Sequence, residues 1–200
     1  MSAVKKLTLI SVEDYLAGEL VSQVKHEFLG GVVYAMAGAR NSHNVIAGNI
    51  FATLHGKLRG QKCRPYNSDT KVRVRLPTQW RFYYPDCQVV CRPNPPDDSF
   101  QDDPVILFEV LSNSTRRTDQ GEKKDAYLTI PALSVYAIVE QEHAKVVIYR
   151  RTDDGFVPEV YEGLDAVIPL PEIKTELPLA EIFADIVFRP EPSNEEDLLR

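Results

Sequence analysis

Long apolar runs are missing from this chain. No stretch approaches the ~20 consecutive apolar residues of a membrane helix, so no helical span is expected. Lys5-Lys6 is followed only by Leu7-Thr8-Leu9-Ile10 before the acidic Glu13-Asp14, which is not the apolar core of a signal peptide. A soluble, cytoplasmic protein is the expectation. Positive charge is short as well: 23 Lys and Arg against 29 Asp and Glu leave a net charge of −6, which argues against a generic polyanion binder. Cysteine is scarce and odd in number, and Cys63, Cys87 and Cys91 lack zinc-ligand spacing. Cys87 and Cys91 flank a strand-like run on one face and read as small buried thiols. Trp80 is the single tryptophan, placed between Gln79 and Arg81 in an apparent turn, where it would stack on a base or pack on the domain or a subunit partner. Repeats and linkers are absent too. Residues 1–188 therefore read as one domain, and 189–200, with two prolines and four acids, as an acidic, disordered tail.

What is present has a clear order. Ser11 reads as the N-cap of a short helix through about Leu20, with Asp14 three residues on. Extended runs on either side of Gly30-Gly31 form a hairpin signature. Val45, Ile46, Ile50, Leu54 and Leu58 recur at helical spacing from about Ser42 to Arg59, ahead of Gly60. Three strand candidates follow without a helix between them: Thr70–Leu76, Tyr84–Cys91 and Val105–Leu111. A helix from about Asp119 to Thr129, a strand Ser134–Glu140 and a final hairpin over 145–160 complete the pattern. Helix, three strands, helix, strand is a mixed α/β sheet with helices on its faces.

Two acids stand where acids are costly. Asp86 precedes the apolar run Cys87-Gln88-Val89-Val90-Cys91, and Glu109 ends Val105-Ile106-Leu107-Phe108. A carboxylate at the end of a buried strand loses solvation and needs a cation, several hydrogen bonds or a proton. Two on neighbouring strands make an all-oxygen site suited to Mg2+ or Mn2+. Asp119, Lys123 and Tyr127, at steps of four, share one helical face beside them. Between Lys57 and Arg81 the chain carries eight bases against one acid, Asp69. There Lys71, Arg73, Arg75 and Arg81 read either as a phosphate-contacting surface or as a solvated strand face. His43, following Ser42 at a helix start, reads as a cap-region residue in preference to a general base.

The segments Tyr83-Tyr84-Pro85-Asp86, Phe108-Glu109-Val110-Leu111-Ser112-Asn113-Ser114-Thr115 and Asp119…Gly121-Glu122-Lys123…Tyr127 resemble the Uma-two (Uma2) family of "putative restriction endonucleases". So do Glu27-Phe28-Leu29-Gly30-Gly31-Val32-Val33-Tyr34 and Asn67-Ser68-Asp69-Thr70-Lys71-Val72. The likeness runs from about Ser11 to Phe188. That family is similar to the PD-(D/E)XK nucleases. The resemblance implies a restriction-endonuclease-like mixed α/β sheet of core order αβββαβ, with an extra N-terminal helix and hairpin and a C-terminal hairpin. The Pro85-Asp86 dipeptide matches the first signature element. Where the superfamily places a lysine two residues after the second acid, this chain has Leu111, and a migrated Lys123 is implied in its stead, with Lys124 the alternative.

On this resemblance Asp86, Glu109 and the Val110 carbonyl would ligate Mg2+ or Mn2+, and Lys123 would position water and stabilise the transition state. Glu27 resembles the family's N-terminal acid, or is an edge-strand surface acid. Asp86, Glu109, Lys123 and Glu27 are thus the expected catalytic set, DNA the expected substrate and a homodimer the expected assembly. Two other functions fit the same residues: a nucleic-acid-binding or assembly protein that keeps the fold with little or no cleavage, and a hydrolase of a smaller phosphoester. The last predicts a closed pocket where a nuclease needs an open groove.

Overall fold

The computed structural model describes residues 8–112 and 115–188. The expected tail over 189–200 lies outside them, as do Asn113 and Ser114 of the loop after Glu109.

Helix α1 (Val12–Glu19) opens on Ser11, whose Oγ accepts the Asp14 N–H at 3.0 Å. Strands β1 (His26–Leu29) and β2 (Val32–Ala35) pair around Gly30 and Gly31, at φ 58° and 101°, a backbone region that suits glycine. Helix α2 (Asn41–Lys57) buries Ile46, Ile50 and Leu54 on one stripe. Then come β3 (Arg64–Asn67), β4 (Lys71–Arg75), β5 (Trp80–Tyr83), β6 (Cys87–Val90), β7 (Phe100–Gln101) and β8 (Pro104–Val110). Two short helices, α3 (Arg116–Asp119) and α4 (Glu122–Tyr127), lead to β9 (Val135–Val139). Strands β10 (Lys145–Thr152), β11 (Gly155–Glu162), β12 (Val167–Leu170) and β13 (Thr175–Pro178) and helix α5 (Leu179–Ile182) follow. Among the described residues no helix is long and apolar enough to cross a membrane.

The larger sheet has the order β11-β10-β9-β8-β6-β3. Its one parallel pair is β8 with β9, joined through α3 and α4 as a parallel crossover requires. Both faces are covered. Ile106, Phe108 and Val110 pack with Ile46, Ile50 and Leu54 of α2 and with Leu179 and Ile182 of α5. Leu107 and Leu111, pointing the other way, pack with Ala126 and Tyr127 of α4 and with Val72, Val74 and Tyr83 of a second sheet, β2-β1-β5-β4-β7. The alternation puts Glu109 on the α4 face.

The structure departs from the sequence reading in four places. The run Thr70–Leu76 is a strand, β4, but it belongs to the second sheet; β3 takes the place beside β6. Pro65 and Asn67 hide β3 from any propensity argument, and an edge strand tolerates such a proline. The run Tyr84–Cys91 is broken, because Pro85 offers no N–H to a ladder and the chain passes there from the second sheet into the first. The helix expected from Asp119 to Thr129 is two pieces; a Cβ on Gly121 would stand 2.8 Å from the Arg117 carbonyl oxygen, so the close approach between them requires glycine. Cys91 is no thiol: Arg64 opposite Val90 sets the register that places Cys63 against Cys91, and the two form a disulfide. Cys87 is free and buried, as read.

Candidate active site

Five side chains converge where β8, β1, α3, α4 and the Pro85-Asp86 crossing meet. Asp86 Oδ2 accepts the Val110 N–H at 2.7 Å, so the crossing segment is fastened to the end of β8. Glu109, buried on β8, accepts a hydrogen bond from the Tyr127 hydroxyl at 2.8 Å on Oε1. Tyr127 is itself wedged between Tyr83 and Tyr136, with ring centroids 5.3 and 5.4 Å away. Lys123, buried on α4, points its ammonium at three carboxylates: Glu27 Oε1 at 2.8 Å, Glu109 Oε1 at 3.5 Å and Asp119 Oδ1 at 3.5 Å.

Burial raises the Glu109 pKa well above the ordinary carboxylate range, and the charges of Asp119, Asp86 and Glu27 push the same way against the pull of Lys123. Asp119 is raised too, first by burial and then by Asp86, although Lys123 opposes it. For Lys123 burial acts downward, but Glu109, Glu27 and Asp119 outweigh it and hold the ammonium charged. Three carboxylates thus share one buried ammonium, with Asp86 beside them. Asp119 Oδ1 is sealed from solvent without a hydrogen-bond partner, which leaves its lone pairs poorly satisfied.

This donor set fits a hard divalent cation. Carboxylate oxygens outnumber the one ammonium that faces them, while among the described residues no group of three or more His, Cys, Asp or Glu side chains is placed to hold a metal ion. Mg2+ characteristically takes one or two protein carboxylates and completes its shell with water and phosphate oxygens. Asp86 and Glu109, with the Val110 carbonyl at the same strand end, are the candidates to hold it.

The structure therefore brings Asp86, Glu109, Lys123 and Glu27 together. Glu27 is not an edge acid, since β1 lies between β2 and β5 and its side chain is largely buried. Lys124 turns away and holds its Nζ 4.9 Å over the Tyr149 ring. The basic stripe does not reach the cluster. Lys71 is buried against the Tyr84 hydroxyl at 3.2 Å. Arg73 forms a two-pronged pair with Asp102 at 2.6 Å on each arm, and Arg75, 57% exposed, adds a contact at 3.1 Å. Arg81 pairs with Glu122 at 2.8 Å. The acids that neutralise this stripe, Asp102 and Glu122, lie later in the chain than residues 57–81. Trp80 starts β5, with the Arg73 guanidinium over its ring.

Sequence reasoning set His43 aside, and the structure places it in the site: its Nε2 lies 3.2 Å from Asp86 Oδ2. The signal was in the helix period, because residue 43 falls three and seven positions before Ile46 and Ile50 on the inward stripe. Glu27, His43, Asp86, Glu109, Asp119 and Lys123 line one cleft of about 1450 Å³, whose rim includes Lys25, Tyr34, Arg40 and Arg116.

Residues 12–180 match the model of the Uma2 family, described as "Putative restriction endonuclease". An uncharacterized protein of Synechocystis sp. is 34% identical over 147 residues, covering 73% of this chain and 76% of its own length. A second uncharacterized Synechocystis protein is 27% identical over 157 residues, 77% of this chain and 88% of its own. The crystal structure of a "putative nuclease belonging to DUF820" from Anabaena variabilis superposes with a TM-score of 0.67 at 15% identity, over 83% of this chain and 93% of that one. At that identity the likeness establishes a common fold.

Proposed function

The chain belongs to the Uma2 family of "putative restriction endonucleases", and on that footing we propose that it is a metal-dependent nuclease hydrolysing phosphodiester bonds in DNA. The observation that carries the reading is the Lys123 ammonium ringed by Glu27, Glu109 and Asp119, beside an Asp86 pinned to the end of the central strand. A structural salt bridge needs one carboxylate, and three around one lysine leave negative charge that a substrate-bearing cation relieves. Asp86, Glu109 and the Val110 carbonyl would hold Mg2+ or Mn2+, which would supply Lewis acidity and a more acidic water. Lys123, kept charged by its neighbours, is a preorganised positive group for the developing phosphorane charge. Tyr127 fixes the Glu109 carboxylate, and Glu27 with Asp119 fixes the lysine. The cleft volume exceeds the roughly 300–1,000 Å³ usual for small-molecule sites, which supports a polymer substrate over a small phosphoester.

The test is direct. Pure protein with plasmid, linear and single-stranded DNA should cleave in Mn2+ and stop in EDTA, and Asp86→Asn should lose both cleavage and calorimetric Mn2+ binding. Unchanged Mn2+ binding in that variant would sink the metal assignment.

A further inference from the structure

His43 sits in the first turn of α2, a position that suggests helix capping, yet it makes no capping contact. The cap residue is Arg40, with no side-chain hydrogen bond to the turn, and the His43 ring turns inward instead. Its Nε2 is 3.2 Å from Asp86 Oδ2, and both side chains are only 13% exposed, so bulk water does not readily replace that contact. The other ring nitrogen, Nδ1, is sealed without a hydrogen-bond partner, and of the polar groups that act on the ring, Asp86, Asn44 and Asp119, Asp86 acts most strongly. The helix cannot retreat from this position. Ile46, Ile50 and Leu54 lock its inward stripe into the core. Ser42 Oγ donates to Gln141 Oε1 at 2.9 Å, and Gln141 Nε2 donates to the Leu111 carbonyl, which ties the same turn to the strand that carries Glu109.

We propose that His43 is a positioning residue for Asp86: its Nε2–H and the Val110 N–H grip the same carboxylate oxygen, Oδ2, and so set the rotation in which Asp86 receives the cation. The inference rests on the metal-site reading above. Two donors on one oxygen define the carboxylate plane and the direction of Oδ1, whereas the Val110 N–H alone leaves the carboxylate free to swing about it. Groups that orient a ligating side chain in this way typically govern about 10- to 100-fold of metal affinity.

The experiment is Mn2+ calorimetry on His43→Gln, His43→Asn and His43→Phe, with metal-free melting temperatures and Asp86→Asn measured alongside. Glutamine places an N–H donor at nearly the reach of Nε2, asparagine falls short of it, and phenylalanine keeps the ring without the donor. Gln should bind Mn2+ within about threefold of wild type, while Asn and Phe lose about tenfold or more. The Asn and Gln variants differ by one methylene in polar chains, so the comparison survives if Phe fails to fold. Equal affinity in Gln and Asn, whether both high or both low, overturns the proposal, because no donor at that reach is then required. Should Asp86→Asn bind Mn2+ normally, the metal-site reading itself falls; if it loses binding while the histidine variants do not differ, only the role of His43 falls.

Discussion

The Lys123 ammonium lies 2.8 Å from Glu27 Oε1, a contact that joins α4 to β1 across 96 positions of sequence and brings the N-terminal hairpin's sheet into the acidic cluster. A lysine so held is the counter-charge that lets several carboxylates be buried together, and on the function proposed above it is also the positive group that meets the phosphate.

Lys123→Met should separate these roles. Phosphodiester cleavage in Mn2+ should drop ~10²-fold or more, since a preorganised positive group at the phosphate is gone, while Mn2+ binding is retained. In EDTA the variant should also be less stable in urea, by up to about 3–5 kcal/mol, because the carboxylates lose their buried partner. Lys124→Ala should match wild type in cleavage rate. Survival of activity at 123 with loss at 124 would reverse the assignment.

Tyr127→Phe removes the donor that meets Glu109 Oε1. A buried acceptor left unpaired costs about 1–3 kcal/mol, so the urea midpoint of the metal-free protein should fall by the corresponding amount. An unchanged midpoint means Glu109 finds another partner.

Cation binding to the folded state alone should raise thermal stability. At one hundred times its dissociation constant, Mn2+ contributes about 2.7 kcal/mol, read as an upward shift of the melting temperature that EDTA cancels and Asp86→Asn abolishes. Absence of the shift in the wild-type protein, at concentrations that support cleavage, would contradict binding at this cluster.

Asp102 gives a pH dependence away from the cleft. Burial disfavours its charge, but the hydrogen bonds of Arg73 and Asn94 and the charges of Arg73 and Arg75 outweigh that and hold the carboxyl below its usual range. A depressed folded-state pKa means stability that is fully present above the unfolded value of about 3.9 and is lost as the pH falls through the folded value. Asp102→Asn should therefore cost about 1–3 kcal/mol at pH 7, and the gap between variant and wild type should close in strong acid. A gap that persists there would assign the effect to packing.

Periodic segments were legible in the sequence because their signals are local. The stripe Ile46, Ile50, Leu54 announces α2, the apolar run before Glu109 announces β8, and Gly30-Gly31 announces a hairpin. The mixed α/β class followed from their order. What was hidden depends on partners distant in sequence. Without β3, whose Pro65 and Asn67 carry no strand signal, nothing places Cys63 opposite Cys91. A count of charges over 57–81 could not see Asp102 or Glu122, which come from later segments. His43 is in phase with Ile46, but its position at a helix start points to capping, the commoner role there. The disposition of Lys123 and Lys124 follows from the helical phase shared with Tyr127, a local signal again.

Pro85-Asp86 is the place where the chain leaves one sheet and enters the other, and Glu27 and Glu109 stand on opposite sides of that passage. The cluster is therefore a gauge of how well two separately hydrogen-bonded slabs are seated on each other. A slip of one slab by a fraction of a strand spacing would part Lys123 from Glu27 while leaving every ladder intact, so the cleavage proposed for this site should vanish at a lower denaturant concentration than the circular dichroism of the strands.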